Sequence, residues 1–366
     1  MATTVLLIIV LALLVLVHEL GHFLVAKWSN IDVEEFGLGL PPRAWGRKIG
    51  DTLYSLNWIP FGGFVRISGD DEDSTPGAST VRPGRGFKEK SFFTKTAVMA
   101  GGVIANAYLA FFLVAAAFWV GLPVSVESFP DAQIKESWVS IVGVVPDTPA
   151  AALGLVVPSR ISAISVAGER FEVASPLDVQ SHVQSSAGAK VTLYITDTDG
   201  SERPYEILPT LRGNGTVPSI GVELDVIGIP SYGLFGALKQ SYLLSGKLIA
   251  GTALGLVNLI AGAFSGTASL DSVSGPVGIA GILADARSAG LGPLLFIVAL
   301  ISMSLAVINF VPFPALDGGR FLFLLIELVM RRPIKPAVSR TVNLVGFVLL
   351  LLLMVFVTYH DIAKLW

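Results

Sequence analysis

Long apolar runs separated by polar segments constrain the fold of this chain more than any other feature of its sequence. The four clearest runs cover residues 3–17 with a continuation at 23–26, residues 97–121, residues 293–311 continuing towards 326, and residues 342–359. Each run reaches or approaches the ~20 residues that an α-helix needs to cross a hydrocarbon core of ~30 Å. We therefore predict a multi-pass α-helical membrane protein with about four membrane helices.

The composition excludes several other classes of protein. Of the 366 residues, 52% are hydrophobic and 14% are charged, whereas soluble domains carry roughly 25% charged residues. The net charge of −3 argues against nucleic-acid binding, which needs a basic surface. The chain has 0 Cys, which excludes disulfides, cysteine nucleophiles, Cys-ligated zinc and iron–sulfur clusters. A membrane protein with an aqueous domain fits best.

A fifth apolar stretch covers residues 243–264 and is harder to assign. Lys247 lies inside it, and glycine and serine residues dilute its apolar character. One interpretation is a further membrane crossing, and the other is an amphipathic segment that lies along the membrane interface. We favour the interfacial position.

The distribution of lysine and arginine predicts the orientation. Residues 27–95 contain ten of them and the short connection 331–341 contains four, whereas the longer stretch 121–230 contains six. Because cytoplasmic loops carry an excess of Lys and Arg, we expect the first and last connections to be cytoplasmic. Both chain termini and the central domain are then extracytoplasmic, in a protein of the cell membrane.

Residues 18–22 read His-Glu-Leu-Gly-His and lie at the end of the first apolar run. Residues four positions apart on a helix lie one turn above each other, so His18 and His22 can bind one metal ion while Glu19 points beside them. In zinc peptidases with this pattern, zinc lowers the pKa of its bound water towards ~7 and the glutamate takes the proton. We predict that His18 and His22 bind Zn²⁺ and that Glu19 is the catalytic base.

A zinc peptidase site needs a third protein ligand, and the sequence offers two sources for it. Glu34 or Glu35 follows the first helix but lies among polar residues expected in the cytoplasm. Asp317 lies at membrane depth between prolines and two glycines, which indicates a broken helix. If the first and third helices run in the same direction, Asp317 and His18 lie at similar depth. We favour Asp317. A full membrane crossing by residues 243–264 would reverse the third helix and place Asp317 near the opposite face, so this choice favours an interfacial position for residues 243–264.

Taken together, these motifs make the chain resemble the site-2 protease family, in particular the bacterial RseP-type intramembrane zinc metalloproteases. The resemblance covers nearly the whole chain. It rests on the HExxH helix, Ala-Gly-Gly-Val-Ile-Ala-Asn at 100–106, Ser-Gly-Pro-Val-Gly-Ile at 274–279, the N-x-x-P-x-P-x-L-D-G-G run at 309–319, and a central PDZ-like domain. It implies that His18, His22 and Asp317 are zinc ligands, that Glu19 is the base, and that Asn309 engages the substrate or the oxyanion.

Between the first two helices, apolar residues alternate with polar ones at Tyr54, Leu56 and Trp58, framed by glycines and prolines. This period of two predicts a β-hairpin. The family resemblance implies that the hairpin re-enters the membrane and that its edge pairs with an unwound substrate by strand addition. The alternative is a plain cytoplasmic loop.

From about residue 138 to 212, the sequence predicts the order strand, short helix, strand, helix, strand, which looks like a PDZ domain of the bacterial type. Such domains add an extended peptide to a sheet edge. Ser159 and Arg160 stand where the family commonly has Gly-Asp, so peptide binding and a size filter against intact ectodomains remain alternative roles.

We therefore divide the chain into eight regions. They are the first membrane helix with HExxH (1–27), a cytoplasmic and re-entrant β-hairpin region (28–96), the second membrane helix (97–121), an extracytoplasmic PDZ-like α+β domain (126–225), an interfacial amphipathic segment (226–291), the third membrane helix with the Leu-Asp-Gly motif (292–330), a cytoplasmic loop (331–341), and the fourth membrane helix with the C-terminus (342–366).

The expected function is zinc-dependent cleavage of single-pass membrane proteins within or near their membrane helix, as in regulated intramembrane proteolysis. In bacterial relatives such substrates include anti-sigma factors and remnant signal peptides, so the expected partners are these proteins and membrane lipids. Two alternatives are a catalytically silent membrane scaffold with a PDZ domain, and a membrane-embedded peptidase that acts on peptides at the cytoplasmic surface.

Overall fold

The computed structural model describes residues 2–69, 82–130, 132–155, 157–186, 188–196, 200–211, 218–267 and 273–364. The helices are α1 (Ala2–Trp28), α2 (Phe92–Val120), α3 (Pro176–Ser185), α4 (Leu234–Ser265), α5 (Pro276–Ala289), α6 (Leu291–Phe310), α7 (Asp317–Met330) and α8 (Pro336–Ala363). The strands are β1 (Val33–Ile49), β2 (Thr52–Ile67), β3 (Val124–Ser125), β4 (Ile134–Val144), β5 (Ser159–Val166), β6 (Glu169–Glu172), β7 (Val191–Thr196), β8 (Glu202–Ile207), β9 (Thr210–Leu211), β10 (Pro218–Ser219) and β11 (Val222–Pro230).

In this part of the chain, five helices are long and apolar enough to cross a membrane, namely α1, α2, α4, α6 and α8. The fifth candidate, α4, contains the stretch that we expected to lie along the interface. Length and composition fit a crossing as well as an interfacial position, so the predicted count of four is not confirmed. The chain divides into two compact units, residues 1–115, 238–287 and 294–366 in one, and residues 116–237 with 288–293 in the other.

The segment predicted as the third membrane helix, 292–330, consists of two helices with a turn between them. Pro312 and Pro314 lie in this turn, and a proline inside a helix removes a backbone hydrogen bond and clashes with the preceding turn. Ala315 adopts a positive φ of 72°, after which α7 starts at Asp317. The predicted break is therefore confirmed, and it brings Asp317 to the beginning of a new helix.

The predicted β-hairpin is present and is much longer than the alternation in the sequence indicates. β1 and β2 pair over most of their length, from Ile49 opposite Thr52 at the turn to Val33 opposite Ile67 at the base. The register shifts repeatedly, so that residues 35–38 align both with 53–56 and with 63–66. Residues 63–67 therefore form one outer strand of a folded-over sheet. Large apolar side chains near the tip are exposed, including Trp45 and Trp58.

The second unit contains the predicted order of strand, short helix, strand, helix and strand, which is confirmed as β4, a 3₁₀ turn at Ala151–Leu153, β5, α3 and β7. The main sheet has the order β3-β11-β4-β5-β7-β8, with β6 beside β5. Alternate residues of these strands, including Ile141, Ile161 and Leu193, form an apolar core with α3. The sheet-rich domain is thus present, while its identity as a PDZ domain stays a prediction.

Helix α3 starts with a capping box. The Asp178 carboxylate accepts hydrogen bonds from the backbone N–H groups of Ser175 (2.7 Å) and Ala174 (2.9 Å). These bonds hold the pKa of Asp178 below its usual value because they stabilise the charged form. The cap fixes where the predicted helix begins.

In the first unit, α1, α5 and α6 share an apolar core that includes Leu14, Leu283 and Val298. Asp361 of α8 is buried and accepts hydrogen bonds from the backbone N–H groups of Gly275 (3.2 Å) and Gly278 (2.8 Å). A carboxylate at a helix N-terminus satisfies N–H groups that lack a partner inside the helix. Asp361 therefore joins the last helix to the start of α5.

Candidate metal centre

Three potential metal ligands from distant parts of the sequence meet within the first unit. His18 Nε2 lies 2.9 Å from Asp317 Oδ2, His22 Nε2 lies 3.2 Å from the same oxygen, and the two Nε2 atoms are 3.2 Å apart. The three side chains are 12%, 10% and 17% exposed. Among the described residues, these three form the group that could hold a metal ion.

The donor atoms fit zinc. Ligand atoms held at ~2.0–2.2 Å from zinc in tetrahedral geometry lie ~3.3–3.6 Å apart, and the observed separations are only slightly shorter. Two imidazoles and one carboxylate are a ligand set that leaves the fourth position open for water, as catalytic zinc requires. The nitrogen and oxygen donors present here are therefore suitable for the zinc ion that the sequence predicts.

Glu34 and Glu35, the other candidates for the third ligand, are engaged elsewhere. Glu35 forms ion pairs with Arg43 (3.0 Å) and Arg66 (3.2 Å) inside the hairpin. Glu34 accepts a hydrogen bond from Ser68 Oγ at 3.2 Å. Both carboxylates thus stabilise the hairpin, and neither belongs to the group formed by His18, His22 and Asp317.

Helix α2 packs directly against the two imidazoles. His22 Nδ1 donates to the carbonyl oxygen of Val98 at 2.7 Å, which leaves Nε2 as its metal-binding nitrogen. A Cβ atom at Gly102 would lie 2.4 Å from His22 Nε2 and 2.6 Å from a carbon of the His18 ring. Only glycine allows this approach, and Gly101 similarly permits α2 to touch the backbone of α1 at Gly21.

Asn106, one turn further along α2, contacts the other imidazole. Its amide group lies 3.4 Å from His18 Nδ1, and its side chain is almost completely buried. Its Oδ1 atom has no hydrogen-bond partner among the described residues. When His18 binds a metal through Nε2, its Nδ1 carries a proton and needs an acceptor. Rotation of the amide by 180° gives it that acceptor and satisfies Oδ1.

Glu19 lines a cavity of about 210 Å³ beside the three ligands, together with His22 and Asp317. The opposite wall is the outer strand of the hairpin, where Gly63 lies so close that a Cβ atom would be 3.1 Å from Glu19 Cγ. Arg320, one turn after Asp317 on α7, also lines this cavity. The cavity therefore combines the Glu19 carboxylate, two of the three potential metal ligands and part of the outer strand of the hairpin.

Asn309 lies near the end of α6 and lines a small neighbouring cavity of about 50 Å³, whose other lining residues include Met99 and Asp317. It is therefore close to the ligand group, but it does not line the cavity that contains Glu19. The structure thus brings together His18, Glu19, His22 and Asp317 and places Asn309 at the edge of this group.

The turn that carries Asp317 is held by α8. Asn343 Oδ1 accepts a hydrogen bond from the backbone N–H of Ala315 at 3.1 Å. One turn along, a Cβ atom at Gly346 would lie 2.5 Å from Pro314 Cβ and 2.7 Å from its carbonyl oxygen. Sequence reasoning missed Asn106, Arg320, Asn343 and Gly346 as supporting residues. A buried amide and a glycine inside apolar helices were the available signals.

Comparison with known proteins supports the same assignment. Residues 6–353 match the model of peptidase family M50. A putative zinc metalloprotease of Clostridium perfringens is 32% identical over 350 residues, which cover 95% of each chain. A putative zinc metalloprotease of Rhizobium meliloti is 30% identical over 97% of this chain and 95% of its own. The zinc metalloprotease RasP of Shouchella clausii is 27% identical over 98% of both chains. With nearly its whole length matched, the chain belongs to peptidase family M50, the site-2 protease family.

Proposed function

We propose that this protein is an intramembrane endopeptidase that cleaves single-pass membrane proteins within or near their membrane helix. Membership of family M50 makes it a zinc metalloprotease, so the proposal concerns its substrates and the roles of its residues. The observation that carries it is the cavity that Glu19 and two of the proposed metal ligands share with the outer strand of the hairpin. A scaffold has no need to bury such groups in an apolar helix.

His18, His22 and Asp317 are the proposed zinc ligands, and Glu19 is the proposed general base. Bound zinc would supply a water of lowered pKa and polarise the scissile carbonyl. Glu19 accepts the proton of the attacking water and passes it to the leaving amine, and its position next to His18 in the sequence keeps its carboxylate beside the ligand group. Asn309 is proposed to donate a hydrogen bond to the substrate or to the oxyanion, from the edge of the site.

The outer strand of the hairpin, residues 63–67, is the proposed binding edge for substrate. A membrane helix hides its carbonyl groups in internal hydrogen bonds, so it must unwind locally before water can attack one of them. An added strand replaces the lost hydrogen bonds through β-augmentation. Because Gly63, Phe64 and Val65 line the same cavity as Glu19, a peptide paired with this strand passes beside the catalytic carboxylate.

The proposals for the central domain, the substrates and the topology rest on the sequence patterns described above. We propose that the domain at 126–225 is an extracytoplasmic PDZ domain, which either binds peptide or excludes substrates that retain large outer domains. The proposed substrates are proteins such as anti-sigma factors or remnant signal peptides in the same cell membrane. The connections 28–96 and 331–341 face the cytoplasm in this arrangement.

The test compares the wild type with Glu19→Gln and with Glu169→Gln, an exposed glutamate on β6 that serves as the matched control. Each purified protein is analysed for zinc and incubated with truncated single-pass membrane proteins and, separately, with soluble peptides. We expect about one zinc per chain in all three proteins, and cleavage of the membrane substrates by the wild type and Glu169→Gln only.

Three results would overturn the proposal. Equal cleavage by Glu19→Gln would remove Glu19 as the base. Cleavage of soluble peptides but not of membrane substrates would favour a peptidase that acts on peptides at the cytoplasmic surface. A complete lack of cleavage by the zinc-loaded wild type would favour the scaffold.

A further inference from the structure

A second cavity lies next to the metal centre in the first unit. Its volume is about 370 Å³, larger than the cavity at Glu19 and within the ~300–1,000 Å³ typical of ligand pockets. The start of α2, the face of α7 and the first turn of α8 form its walls. Met99 and Arg320 line both cavities, so this second cavity borders the catalytic one.

The charges around this cavity are strongly unbalanced. Five cationic residues and one acidic residue line it, namely Lys88, Lys95, Arg320, Lys335, Arg340 and Glu327. The acidic residue is already engaged, because the Glu327 carboxylate accepts a hydrogen bond from the backbone N–H of Ile334 at 2.9 Å. This bond holds the connection before α8 against α7. A concave surface with clustered positive charge attracts anions.

The floor of the cavity is apolar. Phe87 and Met99 are buried at 7% and 4% exposure, and Phe323 and Leu324 of α7 complete the floor. Lys95 Nζ lies over the Phe87 ring, 5.9 Å from its centre. A positive charge is therefore located next to this apolar surface. A ligand that fits must therefore combine an anionic group with an apolar part.

The position of the cavity restricts the ligand further. Two apolar helices, α2 and α8, begin at this cavity. Four of its five cations, all except Arg320 of α7, come from the regions 28–96 and 331–341 that we place in the cytoplasm. Anionic lipids give the cytoplasmic leaflet its negative surface potential. Substrate segments that flank a membrane helix on this side carry an excess of Lys and Arg themselves, and this cavity would repel them.

We propose that the cavity binds the phosphate headgroup of an anionic phospholipid, with the apolar part of the lipid on Phe87, Met99, Phe323 and Leu324. The site differs from the catalytic one and does not depend on the identity of the protease substrate. Because Arg320 lines both cavities, a lipid held here also borders the space in which substrate is cleaved.

The test uses the full-length protein, stripped of lipid in a neutral detergent. Short-chain phosphatidylglycerol, phosphatidylcholine and inorganic phosphate are titrated separately, and the bound species are counted by native mass spectrometry. The variant is Lys335→Gln/Arg340→Gln. Its matched control is Arg331→Gln/Arg332→Gln, which removes the same charge from the same connection but outside the cavity lining.

We expect the wild type to prefer phosphatidylglycerol over phosphatidylcholine and to retain no inorganic phosphate. Each Lys or Arg near an anionic lipid contributes about fivefold in affinity, so the cavity variant should bind phosphatidylglycerol about 30-fold more weakly. The control should change by less than about twofold. Lys88→Gln, on the opposite wall, should weaken binding about fivefold and provides the same test if the double variant fails to fold.

Three results would overturn the proposal. Equal losses in the cavity variant and its control would indicate general charge attraction. Binding of inorganic phosphate as tight as that of phosphatidylglycerol would indicate a site for the free anion. Displacement of bound phosphatidylglycerol by a ten-residue glutamate peptide, at concentrations below those of the lipid, would assign the cavity to an acidic protein segment.

Discussion

At the scale of single residues, we expect Asn106 to determine which nitrogen of His18 is available to a metal ion. Its amide nitrogen lies 3.4 Å from Nδ1, and rotation of the amide by 180° places Oδ1 there to accept the proton that metal binding through Nε2 leaves on Nδ1. Asn106→Leu keeps a similar volume but removes the acceptor. We expect its zinc affinity to fall about 10–100-fold, measured by competition with a chromogenic chelator.

The matched control for this prediction is Asn106→Asp, whose carboxylate also accepts from Nδ1–H. It should retain zinc affinity far better than the leucine variant. A similar loss in both variants, with unchanged elution of the folded protein, would show that Asn106 contributes only to packing. Zinc affinity is the decisive readout because it does not depend on the choice of protease substrate.

Individual site residues could be predicted only where their spacing or chemistry is unusual. His18, Glu19 and His22 lie within five positions, so one helical turn brings them together whatever the rest of the chain does. Asp317 required a comparison of two alternatives, since nothing local connects it with a histidine about 300 residues away. Asn106 lies in the segment 100–106 that contributes to the family resemblance, and Asn343 is an amide in an apolar segment. Neither pattern predicts a supporting role, because that role depends on helix packing.

At the scale of elements, the turn between α6 and α7 controls the third ligand. Gly346 of α8 packs against Pro314 with no room for a side chain. Gly346→Leu should push α8 away from this turn and displace Asp317. A displacement of about 1 Å at a catalytic group costs about 100-fold in rate, and we expect at least this loss of cleavage together with a reduced zinc content.

Gly255→Leu in α4 is the matched control, because a Cβ atom there would meet no other atom within 4 Å. It should leave both zinc content and cleavage close to those of the wild type. Normal zinc content in Gly346→Leu would show that the turn holds its shape without α8 and would contradict the prediction.

Elements were predictable in type but less so in extent. The prolines of the α6–α7 turn predict the break between these two helices, because a proline inside a helix disrupts its hydrogen bonding. The hairpin was recognised from only a few alternating residues around Tyr54, whereas its strands run for 17 and 16 residues. The rest of the two strands contains repeated register shifts. These shifts interrupt the alternation of apolar and polar residues on which strand prediction depends.

At the scale of the whole molecule, helix directions bear on the number of membrane crossings. His18 of α1 contacts Asn106 of α2, whereas His22, later in α1, contacts Val98, earlier in α2. Helices α1 and α2 are therefore antiparallel. Ser302 of α6 donates a hydrogen bond to the carbonyl oxygen of Asn106. Phe310, later in α6, lines the same small cavity as Met99, which is earlier in α2, so α6 is also antiparallel to α2. Hence α1 and α6 run in the same direction. If α4 crossed the membrane once between α2 and α6, helix α6 would run in the direction opposite to α1. The shared direction of α1 and α6 therefore supports four crossings.

Cysteine labelling tests this topology without background, because the chain has 0 Cys. With four crossings, Thr3→Cys and Lys364→Cys should both react with a membrane-impermeant maleimide added to intact spheroplasts. Arg332→Cys, in the connection before α8, should react only after lysis. Labelling of Thr3→Cys from outside and of Lys364→Cys only after lysis would instead indicate five crossings.

The membrane class and the presence of a separate sheet-rich domain were predictable, since both depend on composition averaged over many residues. The assignment of α4 was not. Its apolar content meets the length requirement of a span, and only contacts between other helices bear on its position. The identity of the sheet-rich domain likewise depends on topology rather than on any local pattern.

The distance along the chain between the metal ligands has a consequence for biosynthesis. The two histidines leave the ribosome first, and Asp317 follows roughly 300 residues later. At ~5–20 residues per second, ~15–60 s pass between these events. During that interval the nascent chain holds only two of the three proposed ligands, too few for a catalytic zinc site. We therefore expect the growing chain to lack peptidase activity until Asp317 has been synthesised.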